Sequence, residues 1–308
     1  MARRVKSSRK RRTRRKRLRG GSQNYIFVDM MNDVEGLGNQ LNLYCVGLVV
    51  QKKINLPLCM IRYSKDAHTK NDYAKLFDGA LASDLNISPE RVKAADIALP
   101  EGSGYGAEWS ESDIIYNPSN TGKDYRIHGD VIRVPFLSYK PIYTVFPQVK
   151  DMLMKNEFSK DAYKKYKDMI NNRCAFIHIR KGDFKEKGWN LHEDYYGDAL
   201  SKMNTSDKID TIYMFSNDIK WCKEKEEKWK KATSKKLIYD DTRNELEILY
   251  MMSLCTAGAI LSASMFSSWG AYLGANTNPD SLIIYKYKVI QEKEKPNPYQ
   301  YPERWVGL

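Results

Sequence analysis

Between positions 174 and 285, five short apolar runs alternate with stretches of helical pattern, and this alternation limits the fold more than any other feature of the chain. The runs lie at 174–179, 211–216, 237–240, 259–263 and 282–285, and the helical stretches at 193–203, 219–231, 242–256 and 266–273. Strands joined by helices pair in parallel and are buried on both faces, which suits Phe176, Ile177 and Ile179. Thr242 and Glu245 fit a capping box at the start of the third helix, and Gly258 fits its end. Earlier, an apolar run at 25–29, a glycine-bearing loop, a helical pattern over 39–52 and a second run at 56–63 form a βαβ unit. A further strand is expected at 131–136, and a charged amphipathic helix at 159–170 crosses between the two units. Residues 64–124 are polar and show weak periodicity. A chain of 308 residues is long for one core, and two α/β domains facing each other across a cleft account for the pattern. The expected division is 23–165 and 166–290, with an arm at 1–22 and a tail at 291–308 packing back on the fold.

The formal charge of +13 is concentrated, because residues 1–20 hold twelve Lys or Arg and no acidic residue. The remainder carries 39 basic against 38 acidic residues, so the body is nearly neutral. Like charges at that density repel, and the arm is expected to order only on a polyanion. Nuclear targeting, nucleic-acid contact, an anionic membrane surface and a solubilising tail all fit it. No apolar run approaches the roughly 18 residues that span a bilayer, which points to a soluble, cytoplasmic protein. Five scattered cysteines without a C-x-x-C pair suggest buried free thiols in a reducing compartment. Neither the four histidines nor any Asp-x-Asp supplies a metal-binding rhythm, so no metal is expected.

Four segments concentrate polar chemistry at the ends of apolar runs. His178-Ile179-Arg180-Lys181-Gly182-Asp183 delivers two cations where a parallel strand leaves its sheet, which is where open α/β sheets bind ligands. A structural histidine with exposed basic neighbours fits the same residues. Gly36-Leu37-Gly38-Asn39-Gln40 lies between a strand and a helix, so its amides can approach a phosphate or sugar, or simply make a tight turn. Phe215-Ser216-Asn217-Asp218 offers a carboxylate that can bind a guanine edge or ribose, or cap the following helix. The hydroxyl-rich stretch 262–272, with Ser267 and Ser268, reads equally as an anion site at a helix start and as an N-cap.

Taken together and in order, these segments resemble the α-1,2-fucosyltransferases of glycosyltransferase family 11 and the wider fucosyltransferase superfamily. The family's Gly-Gly-Leu-Gly-Asn-Gln corresponds to Glu35 to Gln40, and its His-x-Arg-Arg-Gly-Asp to His178 to Asp183. Phe-Ser-Asp-Asp followed by Trp corresponds to Phe215 to Asp218 and Trp221. Asn-Ser-Ser-Phe-Ser-Trp-Trp-Gly-Ala-Tyr-Leu looks like the stretch 262–273, which is one residue longer, and Pro-x-x-Trp corresponds to Pro302 and Trp305. Phe136 to Lys140 echoes Phe-Gln-Ser-Tyr-Lys. The resemblance covers 174–305 well and 25–50 moderately.

The resemblance implies a GT-B fold with two Rossmann-like domains, an acceptor-side N-terminal domain and a C-terminal domain for GDP-β-L-fucose. It implies inverting, metal-independent transfer of fucose to a glycan acceptor, most simply galactose 2-OH. Arg180 takes the main catalytic role on the diphosphate, with Lys181, Ser267 and Ser268 beside it. His178 and Asp218 would contact guanosine, and Gly36, Gly38, Asn39 and Gln40 the sugar or diphosphate. Glu35, Asp183 and Glu186 are the general-base candidates by position. Lys181, Asn217 and Ser268 depart from the family's Arg, Asp and Trp, and Cys255 lacks the following His. Two other readings follow from those departures: a transferase for another GDP-sugar, or an inactive scaffold whose arm binds polyanions.

Overall fold

The computed structural model describes residues 23–29, 36–61, 76–97, 122–127, 139–155, 164, 166–170, 173–186, 188, 190–242, 244–287 and 301–308. The expected strand at 131–136 lies outside them, as does the basic arm. Of the expected helix at 159–170, the described residues 164 and 166–170 are helical.

The described residues form two parallel sheets. In the first, β1 (Ile26–Asp29) is central, flanked by β2 (Leu58–Ile61) and then β3 (Ala80–Leu81) on one side. On the other side are β5 (Tyr125–Ile127) and then β4 (Asp96–Ile97). Helix α1 (Leu37–Ile54) follows β1, and the short α2 (Pro89–Lys93) precedes β4. Period-two alternation divides the sheet's side chains, with Ile26, Val28, Leu58 and Met60 joining one cluster and Tyr25, Phe27, Cys59 and Ile61 another. Helix α1 is apolar around almost its whole circumference, the mark of a core helix. It ends at Asn55, whose left-handed conformation closes the last turn through a bond to the Gln51 carbonyl.

Helix α3 (Lys140–Met154) was not expected from the sequence, because two prolines interrupt its pattern. Pro141 sits in the first turn, where a missing N–H costs nothing. Pro147 lies on the exposed face, while Ile142, Val145, Val149 and Met152 line the buried one.

The second sheet has the order β11-β10-β9-β6-β7-β8, all parallel. Its strands are β6 (Cys174–Ile179), β7 (Thr211–Ser216), β8 (Lys236–Asp240), β9 (Gly258–Ile260), β10 (Leu282–Tyr285) and β11 (Val306–Gly307). The intervening helices are α4 (Asp183–Glu186), α5 (Glu193–Asn204), α6 (Ile219–Glu224), α7 (Glu226–Ala232), α8 (Glu245–Leu254) and α9 (Met265–Leu273). Three expectations are corrected here. The single helix over 219–231 is two helices broken at Lys225, and the break brings the Trp221 and Trp229 rings edge-on at 5.8 Å. An unbroken helix would hold residues eight apart at about 12 Å. The third helix starts at Glu245, because Asn244 accepts from the Leu246 and Glu247 amides and so caps it in place of Thr242. Gly258 opens β9, where a Cβ would lie 2.8 Å from the Leu282 carbonyl oxygen.

The two sheets are joined through α1 and α9. A Cβ on Gly38 would lie 2.4 Å from the Phe266 backbone nitrogen, so only glycine lets the two helix starts approach this closely. One turn further on, the buried Trp269 indole donates to Asn42 Oδ1 at 2.7 Å. Gly270 leaves room for the Met252 side chain of α8, whose Sδ would lie 2.4 Å from an added Cβ. One apolar cluster therefore runs from β1 and α1 through α9 to Tyr301 and Trp305. Asn276 closes the far end of α9, its Oδ1 accepting from Tyr143, Arg304 and Trp305. All five cysteines are buried and free, and among the described residues no helix is long and apolar enough to cross a membrane.

Gly38→Ala should lower stability by about 1–3 kcal/mol through overpacking. Asn42→Leu should cost a similar amount, about 1–3 kcal/mol, by leaving the indole N–H buried without an acceptor. Urea unfolding reads both, and an unaltered midpoint for Gly38→Ala would mean that the helices do not meet there.

Candidate functional site

Both sheets reverse their strand order beside their first strand. In the second sheet the chain runs outward from β6 to β8 and returns as β9 on the other side of β6. The crevice between the carboxyl ends of β6 and β9 is the place where open α/β sheets receive ligands. The register pairs Ile177 with Ile260, which sets His178 beside the residues that leave β9. His178 Nδ1 lies 3.0 Å from Ser262 Oγ across that crevice. In the first sheet the corresponding reversal is at β1, which the glycine segment opening α1 follows.

His178 is only 5% exposed and packs against the Phe266 ring at 5.5 Å. Burial, reinforced by the neighbouring Arg180 charge, pushes its imidazole down to about 3. The ring is therefore neutral at ordinary pH. Arg180 leaves the strand half-buried, its guanidinium 5.3 Å from the Phe184 ring centre. Lys181 turns its ammonium onto Trp221 at 4.0 Å, and burial lowers its pKa against the opposing pull of Asp218. Gly182 has φ +42°, and a Cβ there would lie 2.9 Å from Asn217 Nδ2. Asn217 Oδ1 accepts the Lys181 amide at 2.8 Å, tying the exit of β6 to the end of β7.

The hydroxyls at the start of α9 are engaged inside the fold. Ser267 Oγ accepts the Ser262 amide at 3.1 Å, Ser268 Oγ donates to the Ser264 carbonyl at 3.5 Å, and both residues are fully buried. What α9 presents is its backbone N-terminus, which meets the N-terminus of α1 at Gly38 and Phe266. Gln40 is buried and Asn39 half-buried in the first turn of α1, and Gly36 precedes it, where an added Cβ would meet nothing within 4 Å among the described residues. Asp218 caps α6, accepting the Trp221 amide at 3.1 Å, while its own amide donates to Ser216 Oγ at 3.0 Å.

His178, Arg180, Ser262, Phe266 and the two helix starts thus converge. A concentration of cationic charge, helix N-termini and a neutral imidazole suits an anion with several oxygens. Glu35 lies outside the described residues. Asp183 opens α4, its side chain likewise outside them, and Glu186 is exposed on that helix. Ser262 as the partner of His178 was not singled out from the sequence, since their pairing depends on β9 returning beside β6. Among the described residues, no group of three or more His, Cys, Asp or Glu is placed to hold a metal ion.

The sequence model of glycosyl transferase family 11 matches residues 142–308. An α-1,2-colitosyltransferase of Escherichia coli is 30% identical over 156 residues, 47% of this chain and 51% of that protein, so the match spans about half of the relative. Among solved structures, POFUT1 in complex with GDP-fucose has a TM-score of 0.48 at 11% identity, covering 86% of this chain and 98% of that one. NodZ α-1,6-fucosyltransferase soaked with GDP-fucose has a TM-score of 0.46 at 11% identity, covering 82% and 93%.

The buried imidazole has a consequence for stability. In the unfolded chain His178 takes up a proton as pH falls through about 6.5, while the folded chain takes it up only near the depressed value. Stability is thus retained above the unfolded pKa and lost below it, by about 2 kcal/mol between about pH 7 and pH 5. Urea unfolding of the parent and of His178→Phe at both values should show this acid loss in the parent alone. An equal loss in both would place the titration elsewhere.

Proposed function

From the premise that this chain belongs to glycosyl transferase family 11, whose model matches its residues 142–308, we propose that it transfers L-fucose from GDP-β-L-fucose to a sugar hydroxyl. The observation that carries this reading is the convergence at the β6/β9 crevice of Arg180 and two helix N-termini around a buried neutral His178. The two-sheet parallel α/β architecture accords with a GT-B fold. In this reading the acceptor binds on the side of the first sheet and the nucleotide on the second.

As the glycosidic bond breaks, GDP leaves and negative charge grows on its β-phosphate. A guanidinium fork offers that group two parallel hydrogen bonds, and Arg180 supplies it. The amides at the starts of α1 and α9 face the same charge from the other side, with Gly36 allowing close approach, Gly38 bringing the two helix starts together, and Asn39 and Gln40 adding side-chain polarity. Ser267 and Ser268 serve by shaping the start of α9, since their hydroxyls are bonded within the fold. Asp218, past the end of β7, and His178 receive the guanosine, and Lys181 adds to the positive field. The acceptor hydroxyl loses its proton to a carboxylate, for which Glu35 and Asp183 are the two proposed groups. Attack from the face opposite GDP inverts the anomeric centre. Galactose 2-OH is the simplest acceptor, and no step assigns work to a metal.

A second reading keeps the site and changes the sugar. It is favoured by the similarity to an α-1,2-colitosyltransferase, and by Ser268 standing where the family resemblance places an aromatic. A calorimetric panel of GDP, UDP, GDP-fucose, GDP-mannose and GDP-linked colitose, with and without magnesium, distinguishes these readings. Binding of GDP but not UDP, unaffected by magnesium, is the expected result, and the sugar hydrolysed fastest names the donor. A chain that ignores every nucleotide would be a non-catalytic scaffold. Arg180→Ala should lower turnover by about 100- to 1,000-fold while leaving the unfolding midpoint unchanged. Near-parental turnover in that variant would remove Arg180 from the diphosphate.

A further inference from the structure

We propose that Asn217 is a positioning residue that holds the exit of β6 in the conformation from which Arg180 meets a diphosphate. This rests on the diphosphate reading given above. Three observations carry it. The Asn217 carboxamide oxygen accepts the Lys181 amide at 2.8 Å, immediately after Arg180 in the chain. A Cβ on Gly182 would lie only 2.9 Å from its Nδ2, and Gly182 has φ +42°, so the turn closes against this side chain. Trp221, one helical turn beyond Asn217, holds the Lys181 ammonium on its ring at 4.0 Å.

The turn at the end of β7 therefore grips both the backbone and the side chain that follow Arg180. That turn is itself rigid, because Ser216 Oγ accepts the Asp218 amide and Asp218 caps the Trp221 amide. A loose turn would let Arg180 sample directions away from the crevice, and bidentate contact depends on direction. The neutrality of Asn217 matters as well. A carboxylate at this position could accept the same amide, but it would add negative charge beside the two cations that an anion has to approach.

Asn217 is exposed, so its replacement leaves the core untouched. Isothermal titration of the full chain with guanosine, inorganic pyrophosphate and GDP separates positioning from general damage. Asn217→Ala should weaken GDP and pyrophosphate about 5- to 10-fold, the loss of one hydrogen bond, and leave guanosine and the unfolding midpoint unchanged. Asn217→Asp keeps the acceptor, and should bind GDP more weakly than the parent at low salt, with the deficit shrinking as salt is raised. Parental GDP affinity in Asn217→Ala, alongside weakened binding in Arg180→Ala, overturns the positioning role and leaves the diphosphate reading intact. Equal loss of guanosine and GDP also overturns it, since the defect would then lie in the nucleoside site. A parent chain that binds neither GDP nor pyrophosphate overturns both.

Discussion

The close approach of α1 to α9 is the contact on which the rest of the arrangement depends. A parallel sheet offers a ligand only the carboxyl edge of its strands and the helix starts that follow them. Two such sheets make one site when those edges are brought together, and Gly38 against the Phe266 backbone does this. The pair is fixed by burial around most of α1 and by the hydrogen bond from Trp269 to Asn42. That bond is internal to an apolar cluster, where an unpaired indole N–H would be costly, so it specifies register as well as adding stability. Aromatic packing of Tyr272 on Trp305, with the Asn276 hydrogen bonds, then holds α9 from its far end. The helix that presents its N-terminus to the site is thus restrained along its whole length.

Much of this was legible in the residues, and the parts that were not have identifiable causes. Strands β6, β7 and β10 fall where their apolar runs predict, because a strand buried on both faces leaves an uninterrupted apolar signature. Helix α3 was hidden because Pro141 and Pro147 are ordinarily helix breakers, and their tolerance depends on one lying in the first turn and the other facing solvent. The break at Lys225 was illegible for a different reason: it serves the meeting of two tryptophans, which is tertiary information. Gly258 shows the same limit, since a glycine after a helix reads as a terminator, whereas here it answers the close approach of the Leu282 carbonyl.

The candidate site divides along the same line. Its ionic residues could be found from the sequence because strand ends in parallel sheets are predictable places for chemistry. Its hydrogen-bond partners could not, because they come from strands adjacent in the sheet and distant in the chain. Ser262 lies 84 positions from His178 and Asn217 lies 36 from Lys181, and only the sheet order brings each pair together. Ser267 and Ser268 illustrate the converse. A hydroxyl-rich helix start reads as a ligand site, yet these hydroxyls are spent on the backbone that forms it.

The charge of the site follows from how deeply each group is set. His178 is buried beside Arg180, and the neutral ring is the state that avoids both desolvation and like-charge repulsion. Had the imidazole remained near its ordinary pKa, the cationic charge at the crevice would fall as pH rose through neutrality. With it held down, the crevice carries no imidazole charge in that range. An anion approaching the crevice between pH 6 and pH 8 would therefore meet Arg180 and Lys181 without a competing change at His178. Burying a histidine at a strand end therefore removes one pH-dependent charge from the crevice.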